Sequence, residues 1–195
     1  MWRRGLRLSL IDLARRLAPR HLPATDGPDA PAYPRAAVAV ILAQDSESVL
    51  LIQRAERADD PWSGHIGLPG GRTSPSDADL LVTAMRETAE EVGVRLERQQ
   101  FIGVLNRVSP RSPFSHLVVV HPHVFLLPEP PPIALSGEVA DAFWVPLAQL
   151  RDPAVQGDIA LELRGHQLTF PAYHLPHGVV WGLTERILTP LLALA

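Results

Sequence analysis

Leu68-Pro69-Gly70-Gly71 and, further on, Arg86-Glu87-Thr88-Ala89-Glu90-Glu91-Val92-Gly93-Val94 are the segments from which the rest of the chain is read. A helix over residues 79–92 places Glu87 and Glu91 at i and i+4, one above the other, with Glu90 beside them at i+3 from Glu87. Three carboxylates on one helix face repel each other, so solubility alone gives little reason for them. A hard divalent cation removes that repulsion, because Mg²⁺ prefers oxygen ligands and retains several waters. Such a cation beside a bound phosphate is the basic equipment for hydrolysing a phosphoanhydride.

The competing reading is a solvated acidic face, with Arg86 at i−4 from Glu90, and Arg95 nearby, neutralising part of it. The preceding turn weighs against that reading. Pro69-Gly70-Gly71 lets the backbone bend sharply and brings bare amides and carbonyls close to a ligand. Gly93 is a natural helix stop, because the left-handed conformation is open to it. A glycine turn, a helix with acids at i, i+3 and i+4, and a terminating glycine form one small device.

Arg86, Glu87, Glu90, Glu91, Gly93 and Val94 resemble the signature of the Nudix hydrolases, which cleave a nucleoside diphosphate linked to another group. Thr88 stands where the signature has an aliphatic residue, and Asp77 where it has a glutamate after the first glycine. One extra residue then precedes Arg86. That spacing resembles the coenzyme A diphosphatase branch, as do Gly70-Gly71-Arg72 with Pro75 and Asp77, and Thr83-Ala84-Met85-Arg86-Glu87. The likeness extends to Ser63 through Gly71, to Val120-His121-Pro122-His123-Val124, to Glu138-Val139 with Phe143 through Leu147, and to Val180-Trp181-Gly182-Leu183-Thr184. One departure bears on substrate. The branch has Arg-Ser-Ala and then a second Arg, whereas this chain has Arg54-Ala55-Glu56 and Asp60, with Arg57 close by.

The resemblance implies an α/β fold, the Nudix α/β/α sandwich with a mixed β-sheet between helices. It implies Glu87 and Glu91 as primary Mg²⁺ ligands, Mn²⁺ being a possible substitute, Glu90 as a further ligand, and the Gly70 carbonyl as a backbone ligand. Arg86 then anchors the loop or orients an acid, or touches phosphate. Arg54, Arg72 and Gly71 are expected at the substrate. Glu138 is the candidate general base, the alternative being a surface glutamate. His65 and His116 read as pocket-lining, and Trp62 and Phe114 as stacking or packing groups. His121 and His123 alternate on a strand and share a face, either an exposed surface or a weak transition-metal pair. The expected substrate is a small nucleotide derivative, coenzyme A-like first, with ADP-ribose, NADH or another nucleoside diphosphate or triphosphate as alternatives. A nucleotide-binding module without turnover is the contrasting class, and retention of all three acids argues against it.

Composition agrees with one enzyme domain. The 195 residues are 46% hydrophobic with a net charge of −3, which excludes disorder and a nucleic-acid polycation. The chain has no cysteine, compatible with a reducing compartment and a cytoplasmic location. No segment approaches the roughly 18 to 20 apolar residues that cross a bilayer, so no membrane partner is expected. Residues 1–35 read as an N-terminal helix and a proline-rich linker, and 36–195 as the Nudix domain. Leu6, Leu10, Leu13 and Leu17 have helical spacing, which favours a docking helix over a targeting or membrane-surface segment.

Strands are expected at Ala36 to Leu42, Val49 to Gln53, Phe101 to Val108, Leu117 to Leu127 with a bend at Pro122, and Phe143 to Val145. Asp77 or Ser76 is expected to cap the helix that carries the acids. A short helix follows Pro146, a late hairpin turns around Gly165, and an apolar helix over Trp181 to Leu192 bends or ends near Pro190. Its Leu183, Ile187, Leu188 and Leu191 face covers the sheet or forms a dimer contact, leaving monomer and homodimer both open.

Overall fold

The computed structural model describes residues 10–17, 34–58, 62–110, 118–163 and 165–194. The N-terminal prolines Pro19, Pro23, Pro28 and Pro31, and also Leu6, Asp60, Phe114, His116 and Leu117, lie outside the described residues.

The central element is a mixed sheet whose first two strands, β1 (Arg35–Ala43) and β2 (Ser48–Arg54), are joined by a tight turn. They pair only at its mouth, Leu42 with Val49 and Ala43 with Ser48. Beyond that point they part. The inner edge of β2 takes the short β3 (Ile66–Gly67), and the inner edge of β1 takes β4 (Gly70–Arg72). The Leu68-Pro69-Gly70-Gly71 turn therefore sits in a fork between two strands, held to both by main-chain hydrogen bonds, including Ala39 N–H to the Pro69 carbonyl at 2.8 Å.

The outer edge of β1 pairs in parallel with β6 (Val119–Leu127), and β6 pairs with β5 (Phe101–Val104). β7 (Val139–Pro146) runs antiparallel along the outer edge of β2. The expected strand to Val108 stops at Val104, and only an isolated bridge from Val108 to Val120 continues it. The gap falls opposite Pro122, which has no N–H to give and accepts from Leu105 N–H instead. β6 itself runs through Pro122 as one strand.

Side chains alternate between two cores. Ala37, Ala39, Ile41, Leu50 and Ile52 pack against α2 (Leu80–Val92), which carries the acids. Val40, Leu42, Val49, Leu51 and Phe143 pack on the other side against α4 (Gly182–Leu194) and α1 (Leu10–Arg16). This is the α/β/α sandwich. On the α4 side lies a second sheet of three antiparallel strands, β8 (Gln156–Leu163), β9 (His166–Leu175) and β10 (Gly178–Trp181), longer than the expected hairpin and with one strand more. His177, at its last turn, stacks on Phe143 at 3.9 Å and 7° and pins it to the main sheet. The short helix after Pro146 is α3 (Leu147–Leu150).

α4 continues through Pro190 to Leu194. Burial of Ile187, Leu188 and Leu191 holds it there, so this face is covered within the protomer and unavailable as a dimer contact. Leu10, Leu13 and Leu17 of the N-terminal segment are buried in the same core, so α1 packs as part of the domain. Its end crosses β5 closely. At Gly103, with φ of 150°, an added Cβ would lie 2.1 Å from the Leu17 carbonyl oxygen. Gly103→Ala is therefore expected to destabilise the protein by about 3 kcal/mol and to release α1. Denaturant melting and amide exchange over residues 10–17 measure both effects, and a melting curve within error of wild type would refute the close crossing.

Candidate active site

α2 starts at Asp79, whose carboxylate accepts from Val82 N–H at 2.7 Å, and ends at Gly93 in the left-handed conformation. The cap is thus Asp79, not Asp77 or Ser76. Asp77 has another task. Its buried carboxylate accepts from Ser74 N–H at 2.8 Å and Thr83 Oγ1 at 2.9 Å, and takes Arg86 bidentately, Nε to Oδ1 at 2.9 Å and Nη2 to Oδ2 at 3.0 Å. The Arg86 guanidinium holds Asp77 well below the usual carboxylate range, and the Asp77 partner raises Arg86 in turn. Arg86 Nη2 also donates to the Arg72 carbonyl at 3.1 Å, locking the loop onto the helix. The sequence signal for this clamp was the acid at Asp77 in the place of the signature's glutamate.

The acids divide in two. Glu91 is buried, 3% exposed, and accepts from Gly70 N–H at 2.8 Å, while Arg54 Nη1 lies 3.8 Å away. Glu87 packs its carboxylate on Gly71, where an added Cβ would lie 2.5 Å from it. Glu90 turns outward to Arg86 Nη1 at 2.8 Å, and the same nitrogen lies 2.8 Å from Glu87. Burial pushes the Glu91 carboxyl up to about 7, against the pull of Gly70 N–H and Arg54, with Glu87 and Glu138 adding to the rise. Burial raises Glu87 as well.

Among the described residues, no three acidic or histidine side chains converge tightly enough to cage a metal unaided. Two do share one spot: the hard oxygens of Glu87 and Glu91 meet at the glycine turn, and Arg86 spans the gap to Glu90. That donor set suits Mg²⁺ or Mn²⁺, which favour carboxylate oxygen.

Glu138, half-exposed, receives Arg57 Nη1 at 3.3 Å, and its carbonyl accepts from Ala55 N–H at 2.9 Å. The Arg54 main-chain N–H donates to the His65 carbonyl at 3.0 Å, which sets His65 beside the site, with its ring edge on Trp181 at 5.0 Å. The Arg72 side chain is exposed at the end of β4, and Trp62 is half-buried. His121 and His123 correct an expectation: both are buried, 5% and 4% exposed, because β6 is covered on both faces. His123 Nδ1 donates to the His121 carbonyl at 3.0 Å, and burial lowers its pKa to about 4. It is a neutral packing group.

The NUDIX domain profile matches residues 33–162, two thirds of the chain. This chain belongs to the Nudix family. The Nudix hydrolase is 32% identical over 165 residues to the mouse (Mus musculus) mitochondrial coenzyme A diphosphatase NUDT8, covering 80% of this chain and 75% of that one. It is 41% identical over 131 residues to an uncharacterized protein of Schizosaccharomyces pombe, covering 64% of this chain but only 40% of the yeast protein. Among solved structures it resembles the NUDIX domain of Shewanella oneidensis NrtR complexed with ADP ribose, with 27% identity, a TM-score of 0.50, and coverage of 65% of this chain and 80% of that one. The fold of the Nudix hydrolase is thus shared with a NUDIX domain solved in complex with ADP ribose. Among its described residues no helix is long and apolar enough to cross a membrane.

Proposed function

We propose that this Nudix hydrolase cleaves the diphosphate of a coenzyme A-like nucleoside diphosphate derivative, with Mg²⁺ as cofactor and Mn²⁺ as substitute. The observation that carries the reading is the placement of Glu87 and Glu91 against the Gly70-Gly71 turn, one buried and both raised above the usual carboxylate range. Such acids favour a cation partner. Glu87 and Glu91 would hold it, with Glu90 and the Gly70 carbonyl as further donors. Bound there, the ion supplies charge neutralisation on the diphosphate oxygens and acidity to the attacking water.

The chain's own residues supply the rest. Arg86, clamped by Asp77, fixes the acids relative to the turn. Arg54, beside Glu91, and Arg72, exposed at the end of β4, would offer guanidinium donors to phosphate oxygens. Glu138, oriented by Arg57, is the proposed acceptor of the water's proton. Identity to NUDT8 over most of the chain supports the coenzyme A-like choice. A second reading, ADP-ribose, draws on the ligand named with the NrtR domain and on Arg54-Ala55-Glu56, where the coenzyme A signature is broken. Survival of all three acids favours turnover over a silent binding module. We place the enzyme in the cytoplasm as a monomer or homodimer acting on small molecules.

Assay of coenzyme A, ADP-ribose, NADH, dinucleoside polyphosphates and nucleoside triphosphates with Mg²⁺ tests the reading. Coenzyme A is expected to be cleaved with the highest kcat/KM, releasing a mononucleotide. A faster ADP-ribose reaction would transfer the assignment to the second reading, and no product from any of them would leave a binding module.

A further inference from the structure

Glu91 and Glu138 are joined by a short strap. The last turn of a helix leaves its carbonyls without intrahelical partners. At the end of α2, residues 134–136 cover two of them: Ala134 N–H donates to the Val92 carbonyl at 2.9 Å, and Ser136 N–H to the Glu91 carbonyl at 3.0 Å. The strap reaches this helix end from β6 through Pro128, Pro130, Pro131 and Pro132, whose rings fix φ. At its start the Pro128 carbonyl accepts from Asp45 N–H at 3.0 Å. The segment is therefore stiff and tied down at both ends.

Two residues beyond its anchor, the strap arrives at Glu138. Glu138 N–H donates to Ser136 Oγ at 3.2 Å, and Val139 N–H to the Ser136 carbonyl at 3.3 Å. The Glu138 carbonyl takes Ala55 N–H at 2.9 Å, and Ala55 follows Arg54, whose Nη1 lies 3.8 Å from the Glu91 carboxylate. These contacts close a ring that runs from Glu91 to Ser136, Glu138, Ala55 and Arg54 and back to Glu91. Ser136 is bonded to both acids, through its N–H to one and its hydroxyl to the other.

We infer that Ser136 is a positioning residue of the hydrolase, holding Glu138 at a fixed place relative to Glu91. This rests on the reading of Glu138 as the acceptor of the water's proton and adds what aims it. Proton transfer needs its acceptor within hydrogen-bond reach of the water, and a misplacement of about 1 Å costs up to about 100-fold. The Glu138 side chain is half-exposed, and Arg57, its partner at 3.3 Å, is equally so. Neither packing nor that pair fixes the carboxylate, so the main-chain anchors decide where it stands.

The test uses the full-length enzyme, Mg²⁺ and the substrate of the panel above with the highest kcat/KM. Ser136→Ala removes the hydroxyl but keeps the N–H that meets the Glu91 carbonyl. It is expected to lower kcat by about tenfold, with KM and the half-saturating Mg²⁺ concentration unchanged. Ser136→Thr, which keeps the hydroxyl, is expected to recover most of the loss. The deciding comparison is made in the Glu138→Gln background, where Ser136→Ala should add no further loss, because a residue acting through Glu138 has nothing left to aim. An equal fall in both backgrounds, or wild-type kcat for Ser136→Ala, would overturn the positioning role while leaving the hydrolase reading in place. Near-normal kcat for Glu138→Gln alone, or no cleavage of any panel substrate by the wild type, would instead overturn the proton-acceptor reading, and the role of Ser136 with it.

Discussion

Glu91→Gln is expected to lose turnover by about 10³-fold or more in Mg²⁺, while the metal-free protein becomes more stable at pH 8. The two effects share one cause. Glutamine keeps the oxygen that accepts from Gly70 N–H, so the turn stays in place, but it carries no charge into the buried position. In the wild type the folded-state pKa of Glu91 is about 7 against an ordinary 4.5. Between those values the native state binds more protons than the unfolded chain, so metal-free stability falls as pH rises from about 4.5 to 7. The penalty is absent below that window and complete above it, at about 3 kcal/mol. Partial compensation by Arg54 is lost in the variant, so a net gain of about 2 kcal/mol at pH 8 is the reasonable expectation. In a chain of this length that corresponds to a rise in Tm of about 5 °C. Thermal melts in EDTA at pH 5 and pH 8 decide the matter. The variant should exceed wild type clearly at pH 8 and only slightly at pH 5, and added Mg²⁺ should raise Tm more for the wild type. A variant with near-normal turnover would refute the assignment of Glu91 to the metal.

Gly70→Ala is expected to have the largest effect on folding. At φ of 148° this position is open essentially to glycine alone, and an added Cβ would lie 2.3 Å from the Ala37 carbonyl oxygen and 2.6 Å from Val38 Cα. Both obstacles are backbone of β1 and cannot swing aside. Relief requires β4 to leave the fork, which also removes the amide that holds Glu91. We expect a loss of about 4 kcal/mol and of all measurable activity. Gly137→Ala serves as the control, because nothing lies within 4 Å of its Cβ position, and its stability should change by less than about 0.5 kcal/mol. Urea melts of the two variants distinguish local strain from a general intolerance of methyl groups in these loops. Equal midpoints for Gly70→Ala and wild type would show that the fork accommodates a side chain.

The acid spacing, the glycine turn and the helix stop were all legible in the chain, because each depends on residues close in sequence. The helix from Leu80 to Val92, the first hairpin and the layer class follow from such short-range patterns. What escaped depended on partners distant along the chain. Asp77 read as a cap because caps are local, yet its real partner is Arg86, one helical segment later. Glu90 read as one of a converging trio, but Arg86 draws it outward. His121 and His123 looked like surface residues because alternation gives faces and not depth; only the neighbours of β6 decide that they are buried. The extent of β7 and the existence of β10 depended on β2 and β9 being there to pair with.

The divided hairpin also says how the glycine turn lives and dies. In many enzymes the segment that cradles the reacting group is a free-swinging flap, able to melt while the body persists. Here the corresponding segment is laced into the central ladder from both flanks. Its order is inherited from the body of the molecule, and competence and cohesion are lost together.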